Sequence, residues 1–381
     1  VIFHISMKFH FIHGIYIHIP FCLKKCPYCD FYSEPFHPKA KIYDQFVLKE
    51  LQAYSHLFWN SPTVYFGGGT PSLMEPSFFE KVLSQIGKYT EVTMEANPAT
   101  VDRQYLQTLK EVGITRFNLG IQSLQPDLLK VLERPYSRKE ALLVLSWATQ
   151  IFENGGVDII FAIPGQTLTD LEEDLKILIN FPVKHISTYL LTFYPHTPFY
   201  EYIKTKRLNP ISLETQRKMY FFIKYFLEAH GFIHYEISNF AQPGYICQHN
   251  QQYWELKNYL GLGAGAVSFY DGHWHKNIEN VDQYYILLKA KQKPIAEAEN
   301  IGGKDLLALK ISMGLRMLKG INLEKLGLLN KWEEKQNTHY MSALVEEGFL
   351  IYESPFLRLG KKGLFLADSV TREVITALVF E

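Results

Sequence analysis

Three of the four cysteines fall within one short stretch, "FCLKKCPYCDF", as Cys22, Cys26 and Cys29. Four cysteines in 381 residues do not make a disulfide scaffold, and thiolates crowded in this way suit a metal centre. A structural zinc would need a fourth donor, with His18 or a later histidine completing the set because Cys247 lies far along the chain. A cubane iron–sulfur cluster normally takes four thiolates; on three it keeps one iron open to an outside ligand. A second signal is "GGGTPS", Gly67 to Ser72. Glycines after a strand let a ligand approach the backbone and supply amide donors, although alone they read as a tight turn. Glu95 in "MEANP" ends a strand, where a carboxylate can accept hydrogen bonds from a ribose, although alone it reads as a solvated strand-end residue. Gln122 in "GIQSL", Arg134 in "LERPYS" and Asp158 in "GGVDII" are each bland by themselves. Arg134 suits a carboxylate partner as well as it suits a surface ion pair.

Six β-branched or aromatic runs must position these residues: Ile15–Ile19, Thr63–Gly67, Glu91–Glu95, Ile114–Gly120, Val157–Ile163 and His185–Leu191. Helical periodicity separates them, as in Tyr43, Phe46, Val47 and Leu51, or Leu171, Leu175, Leu178 and Ile179. Strand–helix alternation implies an α/β fold with a parallel sheet. Six units fall short of the eight that close a full barrel, so the expectation is an open, partial (βα)6 barrel. The cysteine loop, the glycines, Glu95 and Gln122 all follow or end strands, on the rim where parallel barrels assemble chemistry.

The rest of the chain divides by composition. Residues 1–14 read as a tail, 15–195 as the partial barrel, 196–300 as an aromatic-rich completing region, and 301–381 as a C-terminal module of helices and a hairpin with winged-helix-like character. That module carries eleven Lys or Arg against ten Asp or Glu, too even for a DNA-binding winged helix. It reads as a lid or docking module. Over the whole chain Lys plus Arg and Asp plus Glu are both 39, which argues against nucleic acid as a partner. No apolar run reaches membrane-spanning length, and a cytoplasmic location is expected.

"YIHIPFCLKKCPYCDF", "YFGGGTPS", "EANP", "GIQS", "IPGQT", "YEISNFAQPGYICQHNQQYW" and "YLGLGAGA" together resemble the oxygen-independent coproporphyrinogen oxidase-like branch of radical SAM proteins, over nearly the whole chain. That resemblance implies a [4Fe–4S] cluster on Cys22, Cys26 and Cys29, with S-adenosylmethionine (SAM) chelating the open iron. It implies SAM contacts at Tyr16, Tyr28, Gly68, Gly69, Thr70, Glu95, Gln122, Arg134 and Asp158. Within the branch the chain is most similar to the haem chaperones. Phe31 stands where the oxidase has a further cysteine, and the HNxxYW motif expected of the chaperones is intact as His249, Asn250, Tyr253 and Trp254. Alone, His249 reads as a hydrogen-bonded core histidine; the resemblance makes it a haem ligand, with Cys247 a weaker one. The chain departs from the branch at Tyr136, where a histidine is usual. The implied partners are haem and haem-accepting apo-proteins, membrane-associated ones among them, and a homodimer is compatible. The alternative is an oxidase that decarboxylates porphyrinogen propionates, and a haem-degrading radical methyltransferase ranks below both.

Overall fold

Ile15, Ile17 and Ile19 alternate with Tyr16 and His18, and the same period of two recurs in Val64 and Phe66, in Val92 and Met94, and in Phe117, Leu119 and Ile121. Alternate residues of a strand face opposite sides of a sheet, so each strand has one apolar face, and these apolar residues are fully buried. In the computed structural model, which describes residues 11–336 and 339–380, six parallel strands stand side by side in chain order. They are β1 (Phe11–Ile19), β2 (Phe58–Gly68), β3 (Val92–Ala96), β4 (Arg116–Gln122), β5 (Asn154–Phe161) and β6 (His185–Leu190). All six expected strands are present. β1 starts at Phe11, inside the expected tail, because Phe11 and Ile12 pair with Phe58 and Trp59 across a bulge. Residues 1–10 of that tail lie outside the described residues.

The helices between strands cover the apolar face. Pro76–Ile86 shows how: Pro76 opens it, Phe78, Phe79, Val82, Leu83 and Ile86 are buried along one stripe, and Gly87 at φ 85° ends it. Arg138–Ile151 and Leu168–Leu178 each begin with a capping box, Ser137 with Glu140 and Thr167 with Asp170.

Residues 233–300 widen the sheet at both edges. β7 (Ile233–Glu236) and β8 (Asn239–Ala241) form an antiparallel pair, with β8 against β6. At the other edge β9 (Tyr259–Leu262) adds a parallel strand beside β1. The antiparallel strands β10 (Val267–Tyr270), β11 (His273–Asn277) and β12 (Ile295–Asn300) follow it. Among the described residues the sheet therefore has twelve strands, in the order β12-β11-β10-β9-β1-β2-β3-β4-β5-β6-β8-β7, and it stays open.

The C-terminal residues run helix (Gly303–Arg316), strand (Ile321–Asn322), helices (Leu329–Lys335 and His339–Glu346), then a hairpin of Leu350–Glu353 with Phe356–Leu359. The helix Ala367–Ile375 packs back on Gly303–Arg316. This module is stitched to the barrel at one seam, where Ile237 N–H donates to the Arg316 carbonyl at 3.1 Å and Leu318 N–H to the Tyr235 carbonyl at 3.1 Å. Among the described residues no helix is long and apolar enough to cross a membrane.

Candidate metal and cofactor centre

The second face of each strand is polar, and it lines the inside of the curved sheet. Near the C-terminal ends of the strands this face opens into a cavity of about 790 Å³. Cys22, Cys26 and Cys29 line it from the loop after β1, together with Tyr28. Gly68, Gly69 and Thr70 come from the end of β2, Glu95 from β3 and Gln122 from β4. Arg134 and Asp158 complete the set. Every residue expected at the SAM and cluster site is here except Tyr16. Its hydroxyl meets His18 Nδ1 at 3.0 Å, and its ring lies 6.1 Å from that of Tyr65, one layer deeper.

The three thiols are free and partly exposed. A side chain at Gly69 would put its Cβ 2.7 Å from the Phe21 carbonyl oxygen and 3.0 Å from Cys22 Sγ, so only glycine lets the turn pass this close to the thiols. Gly68 adds a second requirement with φ 114°, a conformation that favours glycine. Arg134 reaches Cys26 Sγ at 3.2 Å through Nη1 and holds the Gly120 carbonyl at 3.1 Å through Nη2. Burial pushes the Cys29 thiol up to about 11, and a bound metal would displace that proton outright. Among the described residues no group of His, Cys, Asp or Glu is arranged to hold a single ion. A cluster instead takes its thiolates on separate irons, and this donor set fits it.

The opposite wall is acidic and only partly satisfied. Tyr65 donates to Glu95 Oε1 at 2.7 Å and Asn118 Nδ2 to Asp158 Oδ1 at 2.6 Å. Burial, reinforced by the negative charge of Asp158, pushes Glu95 up to about 7. Burial likewise raises Asp158, opposed by hydrogen bonds from Ser187 and Asn118. Gln122 sits at φ 64°, and its Oε1 is buried without any donor. An unmet acceptor in a cavity wall is what a ligand with N–H or O–H groups would satisfy, and SAM, with an amino group and ribose hydroxyls, is such a ligand.

Sequence reasoning passed over three residues that position this wall. Tyr65 holds Glu95, Asn118 holds Asp158, and Tyr136 accepts from Arg134 Nε at 3.0 Å while donating to the carbonyls of Gly120 and Ile121. Tyr136, read as a departure from the branch, thus anchors the arginine and the bulged end of β4 together. Strand alternation carries the signal for the first two, since Tyr65 precedes Gly67 by two and Asn118 precedes Gly120 by two.

His249 is elsewhere. It is 1 % exposed, on the helix Gln248–Trp254 that packs under β1 and β2. Its Nδ1 pairs with Thr63 Oγ1 at 2.7 Å and its Nε2 with the Tyr253 hydroxyl at 2.9 Å. Its ring lies 5.0 Å from that of Tyr65, so Tyr65 separates it from Glu95 and the cavity. Burial holds the imidazole neutral, down to about 3. Cys247 is buried beside it, its thiol pushed up to about 12 by burial and Glu91.

The Radical SAM superfamily model matches residues 16–178. Curated relatives include the "Heme chaperone HemW" of Buchnera aphidicola subsp. Schizaphis graminum, 33% identical over 94% of this chain and 97% of its own length. The "Heme chaperone HemW" of Bacillus subtilis is 30% identical over 93% of this chain and 97% of its length. Among solved structures, coproporphyrinogen III oxidase (HemN) from Escherichia coli superposes with a TM-score of 0.80 over 96% of this chain and 89% of its own, at 17% identity. At that identity the likeness speaks for the fold alone.

Proposed function

This chain belongs to the family of radical SAM proteins that includes the HemW haem chaperones, and we propose that it binds haem and passes it to apo-proteins. Near-full-length similarity to proteins named for that activity carries the reading. We place a [4Fe–4S] cluster on Cys22, Cys26 and Cys29, with SAM on its open iron. When bound, that pair supplies one-electron chemistry. The chain's own part is to hold and shield. Arg134 donates to Cys26 Sγ and ties it to the end of β4. Glu95, backed by Tyr65, and Asp158, backed by Asn118, present carboxylates to hydroxyl or amino groups. Gln122 offers its free oxygen.

We assign haem ligation to His249, a neutral imidazole and so ready to bind iron. To do so it must leave Thr63 or Tyr253, because both ring nitrogens are engaged. The helix that carries it has to shift, and a handover function uses such a movable grip. The acceptors are apo-proteins, membrane-associated ones included, and a homodimer is compatible with this role.

The test is an anaerobic haem titration of cluster-reconstituted protein, wild type against His249→Ala. Saturable binding with an altered or lost Soret band in the variant is the expected result. No specific haem binding by the wild type sinks the chaperone reading. Decarboxylated product from coproporphyrinogen III under reducing conditions would favour the oxidase instead.

A further inference from the structure

Arg316 ends the helix Gly303–Arg316 at the seam between module and barrel, where its carbonyl is held by Ile237 N–H. Its guanidinium lies over the ring of Trp254, 4.7 Å from the centroid. A basic residue in the last turn of a helix and a cation on an indole are both ordinary. Neither accounts for the donors left over. Arg316 Nε and Trp254 Nε1 are both buried N–H groups with no acceptor, on side chains stacked against one another. Buried donors are rarely left unmet, and two in contact mark a place for an anion.

Two cavities meet at Arg316, whereas Trp254 stacks on it and lines neither. Arg316, Ala367 and Asp368 line both the 790 Å³ cavity of the cluster site and a neighbouring one of about 360 Å³. The smaller cavity adds Arg372 and the hydroxyls of Ser312, Thr371 and Thr376. Arg372 is exposed and makes no ion pair among the described residues. The one acid on this wall, Asp368, stands 3.9 Å from Arg316 Nη1 and is 92% exposed, so it is a loose partner that an incoming carboxylate can replace. A buried acid, Glu236, accepts from Ser238 N–H and Asn239 through Oε1 and has no partner at Oε2; burial raises it toward the neutral form, and the Arg316 charge opposes that rise without a hydrogen bond between the two. Guanidinium groups favour planar, bidentate anions, carboxylate above all.

We propose that Arg316 and Arg372, with the Trp254 N–H, form a carboxylate clamp that takes the propionates of a tetrapyrrole lying across the barrel mouth. The proposal rests on the haem reading above and deepens it. Trp254 closes the HNxxYW motif, so the clamp joins the helix of His249 to the C-terminal module. Propionates bound there hold the module against the barrel, and their release frees both.

Haem and haem dimethyl ester, which lacks the carboxylates, are titrated in the same detergent buffer against wild type, Arg316→Gln, Arg372→Gln and Trp254→Phe. Wild type is expected to hold the diacid at least about tenfold more tightly than the diester. Arg316→Gln and Arg372→Gln are each expected to lower haem affinity about tenfold and leave the ester untouched. Trp254→Phe keeps the ring under Arg316, so a loss of about threefold confined to the diacid isolates the N–H. Equal affinity of wild type for acid and ester, or variants that weaken both alike, overturns the clamp while the haem reading stands. Wild type that binds neither ligand overturns both. SAM carries a carboxylate too, so its affinity is measured on reconstituted protein. Unchanged SAM binding in Arg316→Gln is expected, and a fall there with haem affinity intact assigns the clamp to SAM and overturns the proposal. Should Arg316→Gln fail to fold, the exposed Arg372 still decides.

Discussion

The mouth and the floor of the barrel share one polar sheet face yet treat polar atoms in opposite ways. At the mouth, Gln122 Oε1 has no donor, three thiols are free, and the Glu95 and Asp158 carboxylates are held together despite their mutual repulsion. On the floor, both nitrogens of His249 are bonded and buried Arg116 donates to Asn154 and the Tyr245 carbonyl, although Gln252 Oε1 and His185 Nδ1 have no partner. Gln122, facing the cavity, is left in want of a donor, whereas His249 and Arg116, which seal the core, are given their partners. By that contrast the mouth is built for a resident ligand. The floor is built to stay shut until something opens it.

The largest effects belong at the mouth. Cys26→Ser removes one of three thiolates, and the expected result is loss of nearly all bound iron and sulfide after anaerobic reconstitution, with an unchanged far-ultraviolet circular dichroism spectrum. Gly69→Ala should do the same without touching a ligand, because its Cβ would fall 2.7 Å from backbone and 3.0 Å from Cys22 Sγ. Full cluster loading in Gly69→Ala would mean the loop yields readily, and the mouth would not be the rigid cradle described here.

On the floor the expected loss is stability. His249→Ala leaves Thr63 Oγ1 and the Tyr253 hydroxyl without their partner and opens a cavity, costing about 3 kcal/mol in the cluster-free protein by urea titration. Gln122→Ala at the mouth removes an atom that bonds to nothing, so the same titration should shift by under about 0.5 kcal/mol. Its effect is expected instead in SAM affinity, down about tenfold by equilibrium dialysis on reconstituted protein. Equal destabilisation by the two substitutions would erase the contrast.

The mouth was far more legible in the sequence than the floor. Cys22, Cys26 and Cys29 lie within one loop and Gly67 to Thr70 within one turn, so their chemistry is local and spacing alone exposes it. Short β-branched or aromatic runs between helical patterns placed the six strands, and the rim followed from them. His249 is a different kind of case. Its burial depends on a helix packing under β1 and β2 from some 190 residues away in sequence, and on β9 adding beside β1. The middle region splits, β7 and β8 to one edge and β9 to β12 to the other, a partition no local pattern encodes. Tyr65 and Asn118 were hidden for a third reason: aromatic and polar residues on a strand look like filler until the opposing carboxylate is seen, while Tyr136, in the loop before Arg138–Ile151, stood out only as a departure from the branch.

The sharpest expected effect is one of sign: the two regions should respond to pH in opposite directions. Glu95 is raised from 4.5 to about 7 in the folded chain. Between those values the native state binds more protons than the unfolded one, so stability falls as pH rises from about 4.5 to 7 and levels above it. His249 is lowered from 6.5 to about 3. Between those values the native state binds fewer protons, so stability climbs with pH across that window and levels above 6.5. Glu50, also raised to about 7 by burial, adds a slope of the first kind far from either site. The comparison must therefore be made by difference. Wild type minus Glu95→Gln should slope downward from pH 4.5 to 7, and wild type minus His249→Ala upward from pH 3 to 6.5, each by up to about 1.4 kcal/mol per pH unit. Cluster-free protein is the material, with unfolding free energies measured at half-unit steps. Two slopes of the same sign would mean that mouth and floor titrate as one connected network through Tyr65, and haem ligation by His249 would then be felt directly at Glu95.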